Sequence, residues 1–174
     1  CKTCNGTGYK GRKGVFEYLR ISNPIRELIN KKSPTLIIRE KARELGIPVI
    51  HRAAALARTL SPYKLVAVVG TCGKSTVTAM LGHILAECGF DPLCVNGANV
   101  PGWTGAVRPG RGGYAVAEVD ESDRSLVVFS PYAAIITNAS DDHYSKAEMD
   151  EVFDTFSRKC SGPVIDGRSG RYAW

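Results

Sequence analysis

The stretch from Leu65 to Thr78, LVAVVGTCGKSTVT, constrains the fold more than any other part of the chain. An unbroken aliphatic run, Leu65 to Val69, has no polar alternation, so it predicts a strand buried on both faces, as in a parallel sheet. The run breaks into Gly70-Thr-Cys-Gly73, then Lys74-Ser75-Thr76, then a helical pattern ending near Cys88. Strand, glycine loop, Lys-Ser and helix is the layout of a phosphate-binding loop. Glycines let backbone N–H groups close around phosphate oxygens, the helix N-terminus adds partial positive charge, and Lys74 adds a full one. Ser75 is placed to hold Mg²⁺. The pattern implies a chain that binds a nucleoside triphosphate.

Composition narrows the setting. At 174 residues, with 44% hydrophobic and 23% charged residues, the chain has room and apolar content for one ordinary domain, or a small one plus a piece. No apolar run reaches the roughly 18 residues a membrane span needs, and no signal peptide opens the chain. The first residue is Cys1, not Met, so the expectation is a piece of a longer protein. Charge is uneven, with 13 Lys/Arg against 4 Asp/Glu in residues 1–60 and 10 against 13 in residues 61–174. The basic half reads as a solvated helical surface, because no aromatic residues interleave with it to stack bases; no nucleic-acid partner is expected. Cys1, Cys4, Cys72, Cys88, Cys94 and Cys160 make no disulfide framework and fit a reducing, cytoplasmic setting.

Before the loop, Cys1 and Cys4 form a C-x-x-C, half of a tetrahedral zinc site with no second pair after it. Residues 14–21 read as a short strand. Ser22-Asn-Pro24 starts a helix with an Ile25, Leu28, Ile29 stripe, and Ser33-Pro-Thr starts another, Leu36 to Leu45, stopped by Gly46. The wording of this region, CKTCNGTGYKGR, then Gly14-Val-Phe-Glu17, then Ile25-Arg-Glu-Leu-Ile29, resembles the C-terminal part of type II secretion and type IV pilus assembly ATPases. That resemblance implies a small α+β remnant over residues 1–45, since that family's nucleotide motifs lie upstream.

From Gly46 the text changes. Residues 46–57 predict a short strand and a helix leading into the phosphate loop. After the loop, Val77, Met80, Leu81, Ile84 and Leu85 recur at helical spacing and should pack the helix on the sheet, with Gly89 ending it. His83 beside that stripe reads as structural. Asp91 to Val95 reads as a strand, and Asn96 to Gly105 as a glycine-rich loop. Tyr114 to Glu118 is a strand ending in an acid. Ligands gather at the carboxyl ends of parallel strands, so Glu118 should emerge beside the phosphate loop, where a carboxylate can hold Mg²⁺. Glu121 and Asp123 read equally as metal-holding acids or as caps. Tyr132 to Asn138 is a further strand, Met149 to Phe156 an amphipathic helix, and Pro163 to Asp166 the start of another strand. The class is α/β, a mostly parallel sheet with flanking helices.

Residues 46–158 resemble the Mur ligases of peptidoglycan precursor synthesis, on their alanine-adding side. The matching residues are Gly46-Ile-Pro-Val-Ile50, Gly70-Thr-x-Gly-Lys-Ser-Thr76, Ala117-Glu-Val-Asp-Glu-Ser-Asp123, Pro131, Thr137-Asn138 and Asp142-His143, in the family's order. The resemblance implies a truncated ATP-binding central domain over residues 46–174. It implies ATP and Mg²⁺ as cofactors, and UDP-N-acetylmuramate and an amino acid, L-alanine, as substrates joined through an acyl phosphate. Gly70, Thr71, Cys72, Gly73, Lys74, Ser75, Thr76 and Asn138 would bind nucleotide. Lys74, Glu118 and His143 would be catalytic, with Ser75, Glu118 and His143 on metal and residues 96–105 facing the sugar nucleotide. Cys72 stands where His is usual in the alanine-adding enzymes; a passive small residue and a reactive thiol both fit. Without the family's flanking domains, nucleotide binding is expected to be weak and ligation slow or absent. The alternatives are a secretion-ATPase piece that serves subunit contact, and a generic phosphate-loop switch.

Overall fold

The computed structural model describes residues 22–121, 125–140 and 145–168. It divides into two units, Cys1–Arg52 and Ala53–Trp174. The expected zinc half-site at Cys1 and Cys4 and the strand at residues 14–21 lie outside the described residues.

In the first unit, α1 (Asn23–Asn30) and α2 (Thr35–Glu44) pack together, with Ile25 and Ala42 buried. Pro24 sits in the first turn of α1, where its missing N–H removes no helical bond. Gly46 closes α2 at φ 66°. Its N–H donates to Arg43 O at 2.9 Å and the Ile47 N–H to Ala42 O at 2.9 Å, the paired bonds of a Schellman cap. The strand expected after Gly46 does not form. Residues 47–51 are irregular, and Val49 and Ile50 are 38% and 47% exposed. Pro48 has no N–H to give a ladder, and among the described residues no strand lies against this run.

The second unit is the expected sheet. α3 (Arg52–Leu60) leads into β1 (Lys64–Val69), and α4 (Lys74–Glu87) follows the glycine loop. Next come β2 (Leu93–Val95), β3 (Val107–Arg108), β4 (Tyr114–Glu118), a 3-10 turn (Ser125–Val128), β5 (Ala133–Ile136), α5 (Lys146–Ser157) and β6 (Val164–Asp166). The strand order is β3-β2-β4-β1-β5-β6, and every pairing is parallel except β2 with β3. β1 is therefore central, which is why its sequence is the most uniformly apolar.

The two faces of β1 bury different helices. Leu65, Ala67 and Val69 join Leu60 of α3 and Met149, Phe153 and Phe156 of α5 in one core. Val68, with Cys94 and Val116, faces Val77, Leu81 and Leu85 of α4. The predicted stripe on α4 was too wide: Met80 and Ile84 are 59% and 52% exposed. Thr78 and Gly82 are its buried positions instead. A Cβ at Gly82 would stand 2.7 Å from Cys94 Sγ and 3.1 Å from the Trp103 ring, so the missing side chain sets how closely α4 approaches the sheet. His83 is exposed. Ser145 starts α5 with a capping box to Glu148. Arg168 then ties β6 to α5 through Asp150, Asp154 and Asp166, at 3.1, 2.7 and 2.6 Å.

Candidate phosphate-binding site

Sheet register brings the site together. Val68 pairs with Glu118 on one side, and Val69 pairs with Ile136 on the other. The segments leaving β1, β4 and β5 thus emerge at one level. This is the crevice at the carboxyl ends of parallel strands, where the strand order reverses about β1. Gly70, Glu118 and Thr137 become neighbours although they are far apart in the chain.

The loop turns sharply at Gly70, whose φ of 127° a side chain would strain, and whose Cβ would lie 2.2 Å from Thr137 Oγ1. Gly73, at φ 80°, caps α4 and has open space where a Cβ would be. The first helical bond of α4 runs from the Val77 N–H to Gly73 O at 3.0 Å. The N–H groups of Lys74, Ser75 and Thr76 precede it and have no acceptor among the described residues, which suits them to an anion.

On the β5 flank the loop is tied by neutral hydrogen bonds. Thr71 Oγ1 donates to Asn138 Oδ1 at 2.6 Å, and the Cys72 N–H donates to the same oxygen at 2.9 Å. Asn138 Nδ2 and Thr137 Oγ1 donate to Cys72 O at 3.1 and 2.6 Å. The Thr71 N–H reaches Asn138 O at 3.3 Å, and Thr71 Oγ1 also meets Ser140 Oγ at 2.8 Å. The backbone N–H groups of Thr71 and Cys72 are therefore already engaged. Cys72 is a free, exposed thiol that contributes its backbone to this network.

On the β4 flank the ties carry charge. Ser75 Oγ donates to Glu118 Oε2 at 2.8 Å, and the Gly97 N–H donates to the same oxygen at 2.8 Å. A Cβ at Gly97 would overlap the Glu118 carboxylate at 2.7 Å, so only glycine lets that strand end come so close. Asn96, buried, donates from Nδ2 to Ser75 O at 3.1 Å. Lys74 Nζ donates to Gly70 O at 2.7 Å and to Glu121 Oε1 at 3.0 Å. Burial pushes the Glu121 carboxyl above the usual carboxylate range, and the hydrogen bond from Lys74 only partly opposes that.

The structure thus brings Gly70, Thr71, Cys72, Gly73, Lys74, Ser75, Thr76, Glu118 and Asn138 into one corner. His143, Asp142 and Asp123 lie outside the described residues. Three contributors went unread in the sequence: Asn96, Gly97 and the pairing of Glu121 with Lys74. Asn96-Gly97 directly after a short strand was the available signal, since such a pair lets backbone approach a neighbouring strand end.

No family model matches the chain. It is 44% identical over 127 residues to UDP-N-acetylmuramate–L-alanine ligase of Cyanothece sp., covering 71% of this chain and 26% of that protein. The same enzyme of Carboxydothermus hydrogenoformans is 36% identical over 146 residues, covering 84% of this chain and 31% of that one. Among solved structures, UDP-N-acetylmuramate-alanine ligase from Thermotoga maritima superimposes with a TM-score of 0.67 at 30% identity, over 78% of this chain and 32% of that chain. The α/β unit belongs to the Mur ligase family. A further Mur-type ligase, the UDP-N-acetylmuramate:L-alanyl-gamma-D-glutamyl-meso-diaminopimelate ligase from Neisseria meningitides, shares the fold with a TM-score of 0.68 at 19% identity, over 82% of this chain and 60% of that one. The chain spans about a quarter of the length of the first curated relative it matches. The Mur-type sheet accounts for the corner described above, with a glycine loop after its central strand and an acid at the end of the neighbouring one. No helix among the described residues is long and apolar enough to cross a membrane.

Proposed function

We propose that this chain is the ATP-binding part of a Mur-type ligase that joins L-alanine to the carboxylate of UDP-N-acetylmuramate. The observation that carries the reading is the Ser75–Glu118 contact at 2.8 Å beside a glycine loop that ends in the free N–H groups of α4. A hydroxyl and a carboxylate in contact form an oxygen donor pair, which suits Mg²⁺ and a nucleotide's phosphates better than a soft metal. Ser75 and Glu118 would hold one Mg²⁺, and His143 would serve a second. The ions would supply charge neutralisation for the transferring phosphoryl group.

The substrate carboxylate must approach a triphosphate, so the first demand on the site is positive charge. Lys74 and the N–H groups of residues 73–76 meet it by binding the β- and γ-phosphate oxygens. The carboxylate oxygen forms a bond to the γ-phosphorus as the bond to the β–γ bridging oxygen breaks, giving an acyl phosphate and ADP. The alanine amine then attacks the acyl carbon, phosphate leaves and the amine gives up a proton. None of these steps needs a side-chain nucleophile from the chain. The names of the relatives favour this reading over a secretion-ATPase piece or a generic switch.

The test is equilibrium binding of ATP with Mg²⁺ to the chain. Wild type should bind, and Lys74→Ala should weaken binding by about a hundredfold, as loss of a charged phosphate contact in a shielded site does. Equal binding by the two proteins, or binding by neither, would overturn the proposal.

A further inference from the structure

Lys74 has three N–H donors on its ammonium. Two are committed, one to the Gly70 carbonyl at 2.7 Å and one to Glu121 Oε1 at 3.0 Å. The Lys74 and Glu121 side chains are only 15% and 9% exposed, so water does little to solvate either charge. An ammonium in that position needs a counter-charge to remain there. Glu121 supplies it from just beyond the end of β4, three residues after Glu118.

Among the described residues Glu121 caps no helix start. A capping carboxylate spends its oxygens on backbone N–H groups at a helix start. Oε1 takes the Lys74 ammonium, while Oε2 is buried with no hydrogen-bond partner among the described residues. The carboxylate accepts the cost of burial and a half-used pair of oxygens while holding one lysine.

We propose that Glu121 is a positioning residue for the phosphate loop: together with the Gly70 carbonyl it fixes two of the three Lys74 donors and aims the third at a phosphoryl oxygen of the bound nucleotide. The inference rests on the nucleotide-binding reading above. Lysine carries a flexible four-carbon stem, and without such an anchor nucleotide binding would have to order it. Glu121 orders it beforehand. Its negative charge opposes the polyphosphate to some extent, so the arrangement exchanges some attraction for a fixed direction. That exchange separates a positioning carboxylate from one that merely competes with phosphate for the lysine.

The experiment uses the full chain as wild type, Glu121→Ala and Glu121→Gln, with two readouts. The first is reductive methylation of lysines followed by mass spectrometry, with exposed Lys64 as internal standard. The second is equilibrium binding of ATP with Mg²⁺. Loss of the acceptor in Glu121→Ala should raise Lys74 labelling about tenfold over Lys64 and weaken nucleotide binding about tenfold, the loss of one charge-assisted hydrogen bond. In Glu121→Gln an oxygen still accepts from Lys74, so both changes should shrink to about threefold. Unchanged labelling and affinity in both variants, or tighter nucleotide binding in either, would overturn the proposal. Should Glu121→Ala unfold, so that Lys64 and Lys74 label faster together, Glu121→Gln decides. A rise at Lys74 alone supports the proposal, and a wild-type rate there overturns it. A wild-type chain that binds no nucleotide overturns the nucleotide reading and this proposal with it, whereas wild-type binding with unaltered variants overturns this proposal alone.

Discussion

The phosphate loop is held from two sides by different chemistry. On the β5 side, Thr71, Cys72, Thr137, Asn138 and Ser140 share short neutral hydrogen bonds, with Asn138 Oδ1 accepting two of them. On the β4 side, Lys74 pairs with Glu121 and Ser75 with Glu118. The neutral side is saturated, since each N–H or carbonyl it fixes has a partner within the protein. Among the described residues the charged side keeps unused capacity, in the third donor of Lys74, the orphaned Oε2 of Glu121 and the first-turn N–H groups of α4. One flank therefore gives the loop its shape and the other leaves it able to bind. A carboxylate or ammonium is costly to bury half-satisfied, so unused capacity of this kind marks where a charged ligand is received.

Changes on the two flanks should accordingly differ in kind. Gly70→Ala is expected to have the largest effect, because its Cβ would lie 2.2 Å from Thr137 Oγ1 and 2.9 Å from Asn138 O at φ 127°. Forcing that overlap should cost about 3 kcal/mol or more, read as a lowered urea midpoint. A wild-type midpoint would show that the loop can hinge away from β5. Asn138→Ala comes next. It strands the Cys72 N–H, whereas the Thr71 hydroxyl keeps Ser140 Oγ, and should cost about 2 kcal/mol in the same measurement while leaving the Ser75–Glu118 pair intact. A loss of nucleotide binding with no loss of stability would contradict a shape-giving role for that flank.

The smallest effect should come from the charged flank and depend on pH. Burial raises the Glu121 carboxyl above the usual carboxylate range. In that window the folded protein holds a proton that the unfolded chain has released, so stability falls as pH rises through it. Glu121→Gln has no such proton. Denaturation midpoints of wild type relative to Glu121→Gln, measured from acid to neutral pH, should therefore decline as pH rises. A flat or rising difference would mean that the Lys74 pair outweighs desolvation.

Much of this was legible beforehand. The run Leu65 to Val69 required a doubly covered strand, Gly89 and Gly46 marked helix ends through their need for positive φ, and Gly70 to Thr76 announced a phosphate loop. Less legible were features that depend on what lies opposite. Pro48 and its apolar neighbours suggested a strand but found no partner among the described residues, and a strand exists only as part of a ladder. Met80 and Ile84 carried the right spacing but stand on a face of α4 that the described sheet does not cover. The short β3 is too small to show periodicity and arises from its antiparallel register with β2.

The sequence by itself determined the local chemistry: which residues could bend around a phosphate, which could carry charge to it, and which strand had to be central. These follow from backbone freedom and side-chain type within a few neighbouring residues. Only the tertiary structure decided the partners. Strand register placed Glu118 on Ser75, Asn138 on the loop backbone and Glu121 on Lys74, pairs separated by 43, 66 and 47 residues. Contacts at such separations are set by the level at which parallel strands end, a property of the assembled sheet that no single segment carries.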